Sequence, residues 1–276
     1  MFELSEKAKD RLIHVDSHLN GQSFSPEFVR ERLYLIAENK GKPDACMSQL
    51  QSYCQAKGVS NWYHGGALSV SKNWFYAKAK LFYIRANPPY HDGPLFPRAG
   101  RVFDAMEVLI CDHPGLIDWY CSMDSGFSEF EEFRGNITTD PDFYTQQFFH
   151  AFRGEWEILG ERAERVLAHP PKSGHAKSFL PDHRFYLALA KGDLVDMEQR
   201  IADLLTPRML HSREGMESGY TNQLLSTLGT VYAKLAWRHG YQVDLDTPYI
   251  PQAWLPIEPL DNYEDPFDFM RQYGCG

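Results

Sequence analysis

Residues 181–193, PDHRFYLALAKGD, have the clearest helical pattern in the chain. It predicts a short helix that ends at Gly192, because glycine adopts the left-handed conformation that closes a helix without steric cost. Asp193 then stands where its carboxylate can accept a hydrogen bond from an unpaired N–H in the first turn of another helix. The pattern predicts two helices joined by a tight Gly-Asp turn.

Two further helices extend this motif toward the C-terminus. Beyond the turn, apolar residues recur at helical spacing: Leu194, Met197, Ile201, Leu204 and Leu205. A third helix carries a similar stripe and ends near Gly240: Leu224, Leu228, Val231 and Leu235. Each helix is apolar on one side only, which is typical of packed scaffold helices.

The rest of the chain shows the same helical periodicity. It predicts helices over residues 4–19, 26–39, 43–57, 67–86 and 97–112, and a short one from Pro114 through Tyr120. A further helix is predicted over residues 140–169, broken or kinked near Gly154 and Gly160. Residues 59–66 are predicted to be a loop, 241–245 show a weak strand pattern, and 265–272 a short helix. We therefore predict an all-α fold, an irregular stack of antiparallel helical hairpins, tetratricopeptide-like in style, with an extended proline-rich C-terminal tail.

The chain length of 276 residues suits one large domain or two smaller ones. We expect a single helical domain over residues 1–276. The alternative is two lobes, residues 1–123 and 140–276, joined by an acidic loop at 124–139.

The overall charge narrows the class of partner. A net charge of −9 argues against nucleic acid and against an anionic membrane, because both require a basic surface. It favours a basic protein partner. The five cysteines are an odd number without a CxxC pair, which favours free thiols in a reducing compartment. With a charged N-terminus and no apolar run of about 20 residues, the chain is expected to be cytoplasmic.

Three sets of residues have spacings that invite a catalytic interpretation. His14 and His18 lie four residues apart, as metal ligands on a helix do, but a third ligand and a catalytic glutamate are missing. Glu38 and Lys40 resemble the Glu-x-Lys segment of restriction-type nucleases, yet the surrounding pattern predicts a helix, not the strand that the motif needs. Four carboxylates on one helix suggest a di-iron bundle but lack its Glu-x-x-His signature: Glu155, Glu157, Glu161 and Glu164. We therefore expect no enzyme activity, no metal and no cofactor.

Two segments combine acidic and aromatic side chains, which together suit recognition of a basic protein: the aromatics anchor and the acids steer. The residues predicted to bind a partner are Asp124, Phe127, Glu129, Phe130, Glu131 and Glu132 in the first segment, and Trp254, Asp261, Tyr263, Glu264, Asp265 and Asp268 in the tail. The alternative is that the tail's aromatics and prolines pack over the helices while its acids are merely solvated.

The second half resembles the immunity protein 49 family of bacterial polymorphic and type VI secretion toxin systems. The resemblance rests on residues 185–193 (FYLALAKGD), the helix to Leu205, residues 236–240 (AWRHG) and 243–251 (VDLDTPYIP), and on residues 73–80 (NWFYAKAK) in the first half. It implies a non-enzymatic helical protein that binds and neutralises one cognate toxin. A nuclease is the favoured toxin class, because nucleases have basic substrate-binding surfaces that an acidic protein can cover.

Two other functions stay open at the level of sequence. The stacked hairpins suit a helical-repeat adaptor that binds a peptide or protein partner. A metal-dependent hydrolase would use His14 and His18. The sequence also leaves open whether the chain forms a homodimer.

Overall fold

A computed structural model describes residues 3–91, 99–124 and 137–275. Within these ranges it contains thirteen α-helices and no β-strand, which confirms the all-α prediction. The helices are α1 (Glu6–Asn20), α2 (Pro26–Ala37), α3 (Pro43–Tyr63), α4 (Leu68–Arg85), α5 (Ala99–Cys111), α6 (Pro114–Cys121), α7 (Pro141–Arg153), α8 (Trp156–Ala168), α9 (Gly174–Ser178), α10 (Leu180–Lys191), α11 (Leu194–Leu204), α12 (Pro207–Ser212) and α13 (Thr227–Arg238).

The predicted Gly-Asp turn joins α10 to α11. Gly192 has φ +67°, in the left-handed region. The Asp193 carboxylate accepts a hydrogen bond from the backbone N–H of Asp196 at 3.0 Å. Local sequence chemistry thus sets both the end of one helix and the start of the next.

Helix α3 continues past Gly58, where the sequence predicted its end, and residues 59–63 are helical rather than a loop. The glycine serves a different purpose. A Cβ at Gly58 would lie 2.5 Å from Cε1 of Phe75. Its absence lets α3 and α4 approach closely, so Gly58 is a packing residue.

The long helix predicted over residues 140–169 is two helices, α7 and α8. Gly154 breaks it, with φ +72°, whereas Gly160 lies inside α8. Residues 241–245 form no strand, and the short helix predicted at 265–272 is a 3₁₀ turn over Asp268–Gln272. Helices α9 and α12 were not predicted.

Helix α5 connects the two halves of the core. It packs against α4 on one side and α13 on the other. The largest buried cluster therefore includes residues from both halves, among them Val15, Phe75, Val231 and Trp254. A continuous core of this kind is what a single helical domain needs, and we propose that organisation for the chain.

None of the helices in the described ranges combines the length and apolar character needed to cross a membrane.

Candidate functional site

The C-terminal tail, residues 241–275, follows the last helix and covers part of the helical body. Its apolar side chains face inward and are buried: Val243, Leu245, Ile250, Trp254, Leu255, Phe267 and Met270. Six of its acidic residues are exposed, and we call them the acidic tail surface: Asp244, Asp246, Glu258, Asp261, Glu264 and Asp268. The candidate site is this surface, and the contacts beneath the tail determine its position.

A buried cluster of Lys72, Asp112 and Lys234, the lysine–aspartate anchor, lies beneath the tail. Asp112 follows the last residue of α5. Its Oδ2 is 2.8 Å from Nζ of Lys72 on α4 and 2.9 Å from Nζ of Lys234 on α13. All three side chains are almost completely buried. The anchor therefore ties three helices together through one carboxylate.

The anchor also holds the backbone of the tail. Lys234 Nζ donates to the carbonyl oxygens of Trp254 at 3.0 Å and Pro256 at 2.7 Å. Lys72 Nζ donates to the carbonyl of Glu258 at 2.6 Å, and the N–H of Glu258 donates to Asp112 Oδ2 at 3.2 Å. These bonds satisfy ammonium groups that would otherwise be costly to bury.

The anchor has a net positive charge, because two ammonium groups share one carboxylate. Burial lowers the pKa of Lys234 to about 8, while Asp112 opposes this shift and Lys72 adds to it. The carbonyl oxygens of the tail supply part of the missing negative potential.

A second set of contacts fixes residues 263–265. Nζ of Lys80 lies 2.7 Å from Oδ2 of Asp265, and the Tyr76 hydroxyl donates to Oδ1 of Asp265 at 3.0 Å. Asn73 pairs with the backbone of Glu264 in both directions, accepting from its N–H at 2.8 Å and donating to its carbonyl at 3.0 Å. The backbone of Glu264 is thus fixed while its side chain remains exposed.

Tyr263 fastens the tail to the end of α5. Its hydroxyl donates to the carbonyl of Cys111 at 2.7 Å and accepts from the N–H of Leu260 at 3.0 Å. Burial raises the pKa of Tyr263 to about 12. This half-buried side chain therefore stays neutral and serves to position the tail.

The tail residues predicted to bind a partner divide into two groups. Asp261, Glu264 and Asp268 are exposed and belong to the acidic tail surface. Trp254 is 0% exposed, so its assignment to a contact surface was wrong: its indole is a core side chain. The Asp265 side chain, 12% exposed, is engaged by Lys80 and is not free for a partner.

No side-chain contacts are described for the predicted partner-binding residues of the first acidic segment. Phe127, Glu129, Phe130, Glu131 and Glu132 lie outside the described residues. Asp124 closes a 3₁₀ turn over Ser122–Asp124, and its side chain is outside the description.

Sequence reasoning missed the lysines that hold the tail. In the structure Lys72 is 2% and Lys80 5% exposed. The available signal was their spacing with Tyr76, at intervals of four residues, which places all three on one face beside a tail rich in acids.

In each of the three sets considered for catalysis, at least one residue contacts a neighbouring side chain. His18 contacts the Tyr220 hydroxyl through Nδ1 at 3.1 Å, and Lys40 pairs with Glu38 at 3.4 Å after α2 has ended. Glu155 precedes α8 and pairs with Arg153 at 2.7 Å. In the part of the chain that the structure describes, no group of three or more His, Cys, Asp or Glu side chains is arranged to hold a metal ion.

Residues 139–254 match the family model of immunity protein 49. The matched segment runs from α7 through α13 to Trp254, so it contains Lys234 of the anchor and stops before most of the acidic tail surface. No curated protein and no solved structure matches the chain.

Proposed function

Taking the immunity protein 49 assignment, which the match over residues 139–254 supports, as the premise, we propose that this chain is an immunity protein that neutralises a cognate secreted antibacterial toxin. It does so in the cytoplasm by stoichiometric protein–protein inhibition, and the toxin belongs to a type VI or related secretion system. The family match is the observation that carries this proposal.

The charge of the tail supports a basic toxin. Residues 241–275 contain seven acidic residues and a single basic one, Arg271. Only Asp265 is neutralised by a buried lysine, and Arg271 pairs with Asp268 at 3.1 Å where both are exposed. A strongly acidic exposed surface attracts a basic partner over several ångströms and repels an acidic one. Nucleases have such basic surfaces, and we propose a nuclease as the toxin.

The way the tail is held supports inhibition by a preformed surface. The lysine–aspartate anchor, Lys80 and Tyr263 fix the backbone at several points between residues 254 and 265. Binding with a fixed backbone avoids much of the entropy cost of ordering a loop in the complex. We therefore propose that the acidic tail surface binds with little backbone rearrangement.

The first acidic segment remains a second candidate surface on the same chain. Reversing the charges of Glu129, Glu131 and Glu132 tests it separately from the tail. Slower association with the toxin at low salt would assign a steering role to this segment.

Co-expression tests the function. We expect the chain to restore growth of cells that produce the toxin encoded by the adjacent reading frame, and to form a complex of defined stoichiometry with it in isothermal titration calorimetry. An unrelated toxin of similar potency is the control and should remain lethal. Undiminished killing by the adjacent toxin, with the chain present and folded, would refute the proposal.

A further inference from the structure

A groove with apolar walls opens beside the acidic tail surface. It encloses about 470 Å³ between the N-terminal residues, the end of α3 and the tail. Its lining includes Leu4, Trp62, Tyr63, Thr247, Gln252 and Ala253. We call this the apolar groove.

The walls of the groove are fixed by contacts behind them. The Trp62 ring packs edge-on against Trp254, with centroids 5.6 Å apart, and the Tyr63 hydroxyl donates to the carbonyl of Leu224 at 2.5 Å. On the tail side, Gln252 Nε2 donates to the carbonyl of Val243 at 3.2 Å. The groove is therefore preformed.

The charged residues that adjoin the groove's lining in the sequence are both acidic. Glu3 precedes Leu4 in the sequence, and Asp246 precedes Thr247. No lysine or arginine is next in sequence to a lining residue. Both acidic residues are exposed, and Asp246 belongs to the acidic tail surface. Asp246 therefore connects the groove to that surface along the chain. This arrangement disfavours a second copy of the same acidic chain as the occupant, since like charges would face each other.

We infer that the apolar groove binds an aromatic or long aliphatic side chain that protrudes from the basic surface of the toxin. Lysines or arginines beside that side chain pair with Asp246 and the neighbouring tail acids. This inference rests on the proposed function. An apolar anchor in a fixed pocket with a charged rim is the arrangement that concentrates binding energy in protein interfaces, and tryptophan and tyrosine are enriched there.

Ala253 allows the groove to be blocked without removing a core contact. Its exposed side chain lines the groove on the 3₁₀ turn over Gln252–Trp254. We expect Ala253→Phe to weaken binding of the adjacent-frame toxin by about tenfold or more, as loss of a central anchor does. The matched control is Ala202→Phe, at an exposed position of α11 away from the groove, which should bind as the wild type does. Calorimetry measures the affinities, and thermal unfolding checks that both variants are folded.

The outcomes separate the groove from the function. If the wild type and Ala253→Phe bind the toxin equally, the groove inference is overturned and the immunity function stands. If the wild type neither binds the toxin nor protects against it, the proposed function fails and the inference fails with it. If Ala253→Phe alters only self-association in sedimentation experiments, the occupant is a second copy, which also overturns the inference.

Discussion

At the scale of single residues, Asp112 is expected to have a large effect on stability. Replacing it with alanine leaves the ammonium groups of Lys72 and Lys234 buried without their carboxylate. Removing one partner of a buried ion pair costs about 3–5 kcal/mol, so we expect Asp112→Ala to lower the free energy of unfolding by that order. Asp268→Ala, at a side chain that is 91% exposed, is the control and should change it little. Urea denaturation measures both, and equal effects would contradict the role of the anchor.

Lys234 makes the stability depend on pH in a defined direction. Its pKa in the folded chain is about 8 against an ordinary value of 10.5, because burial outweighs the attraction of Asp112; Lys72 and Arg238 shift it further in the same direction. Below pH 8 the folded state bears the full cost of the buried charge. Between these two values the unfolded state binds more protons, so the contribution of Lys234 to stability rises with pH.

We therefore expect the unfolding free energy of the wild type, relative to Lys234→Met, to increase between pH 8 and pH 10. Chemical denaturation across this range measures the difference. A difference that falls with rising pH would contradict the depressed pKa.

At the scale of the helices, the sequence predicted most elements and their caps because these depend on neighbouring residues. Gly192 and Asp193 lie at the turn that their chemistry requires. The predicted helix boundaries were wrong where a residue packs against a partner that is distant in the sequence. Gly58 lies within α3 because Phe75 packs against it, and a glycine alone does not distinguish a helix end from a close contact.

Two glycines with positive φ allow the steric and conformational costs of a side chain to be separated. Gly192 has φ +67°, and a Cβ there would lie 2.8 Å from the Tyr241 hydroxyl. Gly240 has φ +86°, and a Cβ there would meet no neighbouring heavy atom within 4 Å. We expect Gly240→Ala to cost about 1–2 kcal/mol for the left-handed conformation alone. Gly192→Ala should cost more, because Tyr241 must also move. The midpoints of thermal unfolding of the two variants measure this difference. An equal loss of stability for both would show that Tyr241 moves aside at no cost.

For the whole molecule, the sequence predicted an acidic, aromatic tail but not what holds it. Lys72 and Glu258 are 186 positions apart, and Lys80 and Asp265 are 185 apart. Such pairs leave no local pattern. The sequence therefore could not separate Asp265, which fixes the tail, from Asp261 and Glu264, which face outward.

That separation defines the variant that tests steering by the tail. Reversing Asp261, Glu264 and Asp268 to lysine changes the acidic tail surface while the Lys80–Asp265 pair remains. We expect association with the toxin to slow by about tenfold or more at low salt and the difference to shrink as salt screens the charges, because surface charges act mainly on the encounter rate. The matched control reverses the exposed α8 residues Glu157, Glu161 and Glu164, which produces the same change in net charge at another site. Stopped-flow measurements over a salt series compare the two; if both variants associate equally slowly, net charge rather than the tail steers the toxin.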